Sequence, residues 1–186
     1  MRVTHLRRIG ALAAVSAVGI GAVTSVGASA AGKQTDEPTA ATITMVSNGK
    51  NLEFQGPRTV SAGAKLQIVN ATDPSKVGPH TFTLVDKDLV PKSKQDIKDC
   101  FKLKLEVCTD VLNAHKVNIK TEKIGKPVVD VGAKGWDTSF GKKGDTWFSL
   151  EEGETHDRQV TAKPGDTLYY FCAIHPFMQG KIKVVK

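Results

Sequence analysis

Three side chains that can bind a metal lie within seven residues near the C-terminus, in the stretch YYFCAIHPFMQG (169–180). Cys172 ends an apolar run typical of a β-strand, His175 lies in the turn that follows, and Met178 comes three residues later. Pro176 fixes the backbone directly after the histidine. One turn can therefore bring a thiolate, an imidazole and a thioether to one small volume, and sulfur ligands of this kind favour copper.

A trigonal copper site of this type needs a second histidine, and the chain holds five in all. His5 lies in an N-terminal segment that we expect to be removed, His115 lies in a lysine-rich stretch, and His156 lies in a polar strand. His80 follows a Gly-Pro pair and opens the apolar strand HTFTLV, where a loop meets the core. We therefore expect His80 to be the upstream ligand.

Other chemistries fit these residues less well. Zinc rarely takes a thioether, an iron–sulfur cluster needs several cysteines, and covalent haem attachment needs a C-x-x-C-H motif. A cysteine nucleophile would need a base and a substrate cleft, for which the sequence gives no signal. The purely structural alternative is a buried cysteine beside an exposed histidine and a core methionine. The occurrence of all three in this order, with His80 upstream, favours copper.

Short β-type runs separated by turn residues surround the candidate ligands. Many short strands at this spacing predict an antiparallel sandwich or barrel. The runs are ATITMV, LEF, KLQIV and HTFTLV in the first half, and GDTWFSL, ETHDRQVTA, GDTLYYFC and GKIKVVK towards the C-terminus.

A segment of a different kind separates the two halves, at about 86–126. Its part from Ser93 to His115 has apolar residues at helical spacing. An unbroken helix would hold Cys100 and Cys108 ~12 Å apart, whereas a disulfide needs Cα atoms within ~7 Å. Either the helix breaks between residues 102 and 106, or both thiols stay free. Because export favours disulfides, we expect two short helices, or a helix and a turn, joined by Cys100–Cys108.

The N-terminus has the order of a secretory signal peptide, which we predict over residues 1–30. Basic residues precede an uncharged run from Ile9 to Val26, and the small-residue pattern Ala28-Ser29-Ala30 follows. A retained membrane anchor and a twin-arginine signal are the alternatives. Residues 31–41 are predicted to be a disordered lead-in and residues 42–186 one domain. Export leaves three cysteines in an oxidising compartment, so Cys172 has no partner if the other two pair.

The charge of the chain gives no argument for nucleic-acid binding. Three of its 26 basic residues lie in the predicted signal, which leaves 23 against 19 acidic residues. Most of this mild excess falls in the segment 86–126, and a solvated lysine-rich surface is the simplest interpretation.

The sequence CAIHPFMQGKIKVV resembles the copper-binding loop of cupredoxins, the small blue-copper proteins, and GPHTF resembles their upstream histidine segment. The spacing C-x2-H-x2-M is most similar to that of amicyanin and shorter than that of plastocyanin. The resemblance implies an all-β, Greek-key cupredoxin β-sandwich that binds one copper ion. His80, Cys172 and His175 would be strong equatorial ligands, and Met178 a weak axial one. The helical, cysteine-containing insertion at about 86–126 would be extra.

Two positions depart from the pattern of many relatives, in which an Asn follows the first histidine and a Ser or Thr follows the cysteine. This chain has Thr81 and Ala173 there, and the alanine side chain cannot link the two ligand segments. A hydrogen bond from the Thr81 N–H to the Cys172 sulfur is still possible.

The function implied is that of an exported one-electron carrier between redox partners, which would dock near His175 and Phe177. Its alternative is copper delivery outside the cytoplasm. We do not expect an enzyme, because a multicopper oxidase or nitrite reductase needs further histidines, and the remaining His115 and His156 lie far apart. The mature chain would be a periplasmic, cell-surface or secreted monomer that does not span the membrane.

Overall fold

Two β-sheets pack face to face, and the six-stranded sheet carries the candidate ligands. The computed structural model describes residues 40–49, 51–118, 124–132, 135–137 and 145–186. Within these ranges, one sheet has the strand order β2-β1-β4-β8 and the other the order β3-β10-β9-β5-β7-β6. The first sheet comprises β1 (Ala41–Ser47), β2 (Leu52–Gln55), β4 (Lys65–Asn70) and β8 (Thr155–Gln159). The second comprises β3 (Thr59–Ser61), β5 (His80–Val85), β6 (Asp130–Val131), β7 (Thr146–Ser149), β9 (Thr167–Phe171) and β10 (Gln179–Val185). The predicted β-sandwich is confirmed.

The strand pairing departs from the antiparallel expectation at two places. β1 pairs with β4, and β10 pairs with β3, and both pairs are parallel. The sequence offers no local signal for this, because each pair joins strands that are not consecutive in the chain. Two short strands, β3 and β6, and a single helical turn, α1 (Pro74–Val77), are also absent from the sequence prediction.

The space between the sheets holds the first core. Alternation along β1 and β4 turns every second side chain inward, as period 2 requires. Rings from both sheets fill the centre, with Phe82 in contact with Phe54, Trp136 and Tyr170. The buried residues of the first core are Ile43, Met45, Val60, Ala64, Leu66, Ile68, Phe82, Leu84, Trp136, Trp147, Val160, Ala162, Leu168, Tyr170, Cys172, Met178, Ile182 and Val184.

A second core lies on the other face of the six-stranded sheet, beneath the helical insertion. Every residue of β5 and of β7 is buried, so these strands are covered on both faces. The buried residues of the second core are Val85, Cys100, Val107, Cys108, Val111, Leu112, Val117, Phe148, Phe171 and Ala173. The insertion is therefore packed tightly on the sheet.

The insertion folds as two short helices, as expected, α2 (Lys94–Phe101) and α3 (Glu106–Ala114). A capping box of Ser93 and Asp96 begins α2. The chain between the helices passes through Leu103 at a φ of 54°, a left-handed conformation that ends α2. This break allows the Cys100–Cys108 disulfide, whose Cα atoms lie 5.5 Å apart. Both the disulfide and the break at residues 102–106 are confirmed.

The predicted signal peptide (1–30) and most of the predicted lead-in lie outside the described residues and stay predictions. β1 begins at Ala41, the last residue assigned to the lead-in. Residues 119–123 of the insertion are also outside the described ranges. Among the described residues, no helix is both long and apolar enough to cross a bilayer.

Candidate metal centre

The candidate ligands meet at one end of the two central strands of the six-stranded sheet, because of how β5 and β9 pair. The two strands are antiparallel neighbours, with Thr83 opposite Phe171. The first residue of β5, His80, therefore lies near the end of β9, and Cys172 follows that end directly. His80 thus stands where the loop that contains Gly78 and Pro79 meets the core, as expected from the sequence.

A tight turn between β9 and β10 carries the other candidate ligands, and we call residues 172–178 the ligand loop. The Met178 N–H donates to the His175 carbonyl at 2.7 Å, and the Cys172 N–H donates to the Met178 carbonyl at 3.0 Å. These two bonds close the loop on itself, so backbone hydrogen bonds alone hold Cys172, His175 and Met178 close together.

Three donor atoms converge at this end of the strands. The Cys172 sulfur lies 3.9 Å from His80 Nδ1 and 3.8 Å from His175 Nδ1, and the two nitrogens are 3.2 Å apart. Among the described residues, these three form the single cluster of His, Cys, Asp and Glu side chains that could hold a metal. His80 and Cys172 are fully buried, and His175 is half-buried.

The donor triangle fits a single ion bound by one sulfur and two nitrogens. Metal–nitrogen bonds of ~2.0 Å and a metal–sulfur bond of ~2.3 Å, at angles near 120°, put the donors about 3.5 to 3.7 Å apart. The observed sides of 3.2, 3.8 and 3.9 Å bracket these values. One thiolate and two imidazoles in a trigonal arrangement are the donor set of blue-copper sites, so the residues present fit copper.

Two backbone N–H groups are aimed at the Cys172 sulfur. Thr81 N donates to it at 3.2 Å and His175 N at 3.4 Å. Burial raises the pKa of the Cys172 thiol, and these N–H groups oppose that rise. The Thr81 bond, which the sequence left open, is present. Hydrogen bonds of this kind would hold a thiolate in place and disperse its charge.

Burial also keeps both histidines neutral. It lowers the pKa of His80 to about 4, with the nearby His175 as a smaller cause. It lowers the pKa of His175 as well, although the Val77 carbonyl acts in the opposite direction. Near neutral pH the two rings therefore offer lone pairs to a metal. Among the described residues, no hydrogen-bond partner reaches the buried His80 Nε2.

The two ligand segments are linked by a bond that the sequence did not reveal. The Ala173 N–H donates to the Thr81 hydroxyl at 2.8 Å. Although both positions differ from the family pattern, the two ligand segments are still linked. The hydroxyl group comes from Thr81 on β5, and Ala173 contributes only its backbone N–H. The signal in the sequence is the threonine that directly follows His80.

Met178 is buried in the first core, which also contains Cys172. It belongs to the ligand loop through its backbone bonds to His175 and Cys172. Its role as a weak axial ligand stays a prediction.

The two histidines that were set aside lie in other environments. His115, at the end of α3, is fully buried, with hydrogen bonds to the Val128 carbonyl and, at 2.9 Å, to the Thr146 hydroxyl. The ring of His156 stacks on Trp147 at 5.7 Å. Neither histidine belongs to the donor cluster.

Several solved copper-protein structures are similar to the chain. Reduced auracyanin from the photosynthetic bacterium Roseiflexus castenholzii is 19% identical, with a TM-score of 0.43, and the match covers 80% of this chain and 98% of that one. A purple cupredoxin from Nitrosopumilus maritimus is 13% identical (TM-score 0.38; 77% and 98% covered). A Cu-containing nitrite reductase from Thermus scotoductus is 18% identical (TM-score 0.40), and the match covers 92% of this chain but 25% of that one.

No protein-family model matches the chain, and no curated protein matches it. At the identities and TM-scores above, the similar structures give no support for particular ligands or for an activity, both of which rest on the site geometry. The closer likeness of the ligand loop to amicyanin stays a prediction.

Proposed function

We propose that this chain is an exported, mononuclear type 1 copper protein that carries single electrons between redox partner proteins. The observation that carries the proposal is the convergence of His80 Nδ1, Cys172 Sγ and His175 Nδ1 within 4.8 Å of one another. One copper ion would be held by these three atoms, with Met178 as the weak fourth ligand.

Copper, when bound, would supply a one-electron couple between Cu(I) and Cu(II). The protein's part is to hold the donors in one arrangement for both oxidation states. Thr81 and His175 fix the Cys172 sulfur through their N–H groups. The closed backbone of the ligand loop fixes His175 and Met178. Burial of His80 and Cys172 keeps water from the inner side of the site. Such a site favours electron transfer over substrate chemistry.

Electrons would enter and leave through His175, which is the least buried of the three donors. The Phe177 ring lies 6.0 Å from the His175 ring and is 46% exposed. A redox partner that docks at these two residues would approach the metal through one imidazole. Interfaces of electron-transfer pairs are small, which suits so limited an apolar surface.

The burial of the donors supports a carrier over a copper-delivery protein. An incoming acceptor thiol or thioether would have to reach donors of which His80 and Cys172 are fully buried. Copper should therefore leave slowly. Export itself is proposed from the predicted signal peptide, and the Cys100–Cys108 disulfide agrees with an oxidising compartment.

The direct experiment is the absorption spectrum of the copper-loaded, oxidised full chain. A strong band near 600 nm, as the family resemblance implies, is expected from charge transfer between the Cys172 thiolate and Cu(II). Metal analysis should give one copper per chain. A fully loaded, oxidised protein without that band would overturn the type 1 assignment.

Ligand variants then test each role. Cys172→Ser should abolish the band. Met178→Leu should keep much of it, and its matched control is Met45→Leu, since Met45 is equally buried in the first core but lies on β1. A shift in reduction potential for Met178→Leu, with none for Met45→Leu, is the expected result. Equal effects of the two would contradict an axial role for Met178.

Carrier and delivery functions are separated by a competition experiment. The Cu(I)-loaded protein is mixed with a Cu(I) chelator, and electron exchange with a small soluble oxidant is followed in parallel. Electron exchange on a timescale much shorter than copper loss supports the carrier. Copper transfer that keeps pace with electron exchange would favour delivery.

A further inference from the structure

The helical insertion contacts the ligand loop at two points and is joined to it at a third through a side chain of β10. The first lies at the disulfide. The Cys100 sulfur is 3.7 Å from the Ala173 carbonyl oxygen, and because this sulfur is bridged to Cys108 it carries no proton to donate. The interaction is therefore van der Waals contact between the disulfide and the backbone that directly follows Cys172. Ala173 is 3% exposed, so the contact is buried.

Ala173 is held from two sides. Ala173 belongs to the second core together with Cys100 and Cys108. Its N–H is held by the Thr81 hydroxyl and its carbonyl lies against the disulfide. The peptide between the cysteine and histidine ligands is thus fixed from the sheet on one side and from the insertion on the other.

The second point is a hydrogen-bonded bridge through one side-chain amide of β10. Gln179 Nε2 donates to the Pro91 carbonyl at 2.5 Å and to the Pro176 carbonyl at 2.6 Å. Pro91 lies in the segment that leads into α2, and Pro176 directly follows His175. The two donors of a single side chain therefore tie the insertion to the ligand loop.

The third point is an aromatic contact near the surface. The Phe101 ring, at the end of α2, lies 6.3 Å from the Phe177 ring of the ligand loop. Both rings are about half exposed. Contacts of this kind at the rim limit the motion of the loop beyond His175.

We propose that the disulfide-joined insertion is a clamp that positions the ligand loop, with Cys100, Cys108 and Gln179 as positioning residues of the metal centre. The inference deepens the proposed function and rests on it for its effect on copper. The clamp itself concerns contacts within the protein and can be tested without metal. None of the three residues contacts the donor atoms in the cluster, so each would act through the loop backbone.

The first test uses amide hydrogen exchange of the metal-free full chain. Gln179→Ala should make the amides of the ligand loop, such as that of Met178, exchange about fivefold faster, because a partly buried bridge of hydrogen bonds is lost. The control is Gln159→Ala, since Gln159 donates one side-chain bond to the Gly63 carbonyl, away from the ligand loop. Equal loop exchange in the two variants would overturn the clamp.

The second test removes the disulfide with the double variant Cys100→Ala/Cys108→Ala. In the copper-loaded protein we expect a changed reduction potential and a shifted charge-transfer band with copper still bound one to one. A metal centre identical to the wild type in both respects, together with unchanged loop exchange, would overturn the proposal. If the double variant does not fold, the variants Gln179→Ala and Phe101→Ala, which keep the disulfide, test the clamp by the same measurements.

The two proposals can fail separately. If the wild-type chain gives no type 1 copper spectrum, the proposed function is wrong. The clamp is then still tested by hydrogen exchange of the ligand loop in the metal-free variants. A normal spectrum with no response of loop exchange, potential or band to Gln179→Ala and Phe101→Ala removes the clamp alone.

Discussion

The two cores lie on opposite faces of the same six-stranded sheet and are built in different ways. The first is a sandwich interior, filled by inward side chains of both sheets with aromatic rings at its centre. The second is formed by the outer face of one sheet, two short helices and a disulfide. Cys172 belongs to the first and Ala173, the next residue, to the second. The candidate metal centre therefore lies where the two cores meet.

The difference between the cores indicates how their stability arises. The first core depends on burial of large apolar groups, which contributes in proportion to the area removed from water. The second holds smaller side chains and gains from the covalent link, which restricts the unfolded chain. We expect the first core to set global stability and the second to set the local order of the ligand loop.

The largest effect is expected from a truncation in the first core. Phe82 is fully buried among Phe54, Trp136 and Tyr170. Phe82→Ala should lower the free energy of unfolding by about 3 to 5 kcal/mol, because the cavity cannot close fully. Equilibrium unfolding in urea measures this loss of free energy. Leu89→Ala is the control, since that side chain is 41% exposed, and a similar loss in both variants would contradict the ranking.

The next effect concerns the second core. Cys100→Ala/Cys108→Ala opens a loop with a sequence separation of 8, so the chain-entropy model gives a loss of about 2.5 kcal/mol. Native-state hydrogen exchange should show α2 and α3 opening well before β4. Opening of all three elements together would contradict this expectation, because it would mean that the two cores form one cooperative unit.

Much of the site could be predicted because its residues are close in sequence. The C-x2-H-x2-M spacing needs only a strand end and a turn, and His80 stands out at the start of an apolar strand. The break in the insertion was also predictable, since export favours a Cys100–Cys108 bridge and an unbroken helix is geometrically incompatible with that bridge.

The second core could not be predicted, because its contacts are long-range. In HTFTLV the threonines alternate with apolar residues, a pattern that indicates one solvent-facing side. Instead Thr81 and Thr83 are buried beneath the insertion. The Thr81 hydroxyl accepts from Ala173, and the Thr83 and Thr146 hydroxyls lie 2.6 Å apart. These hydrogen bonds offset the free-energy cost of burying the hydroxyl groups, but no local sequence pattern predicts them.

The link between the ligand segments gives a prediction of intermediate size. Thr81→Val keeps the shape of the side chain but leaves the buried Ala173 N–H without its acceptor. The free energy of unfolding should fall by about 1 to 3 kcal/mol, and the copper band should shift. Thr81→Ser restores the hydroxyl and should recover both properties. A serine variant no better than the valine variant would show that the methyl group, and not the hydrogen bond, matters.

The smallest effect expected is a change in the pH dependence of stability caused by His115 in the second core. Burial lowers the pKa of this histidine in the folded protein, so the unfolded chain binds more protons as the pH falls below about 6.5. The stability due to the neutral ring is thus fully present above that pH and is lost as the pH falls towards the folded pKa. In the metal-free chain, His115→Gln should therefore show a shallower loss of unfolding free energy as the pH falls below about 6.5, by at most ~1.4 kcal/mol per pH unit. The two proteins differ in this one ionisable group, so the difference between the two slopes isolates His115. Parallel curves would mean that the second core accommodates a charged ring.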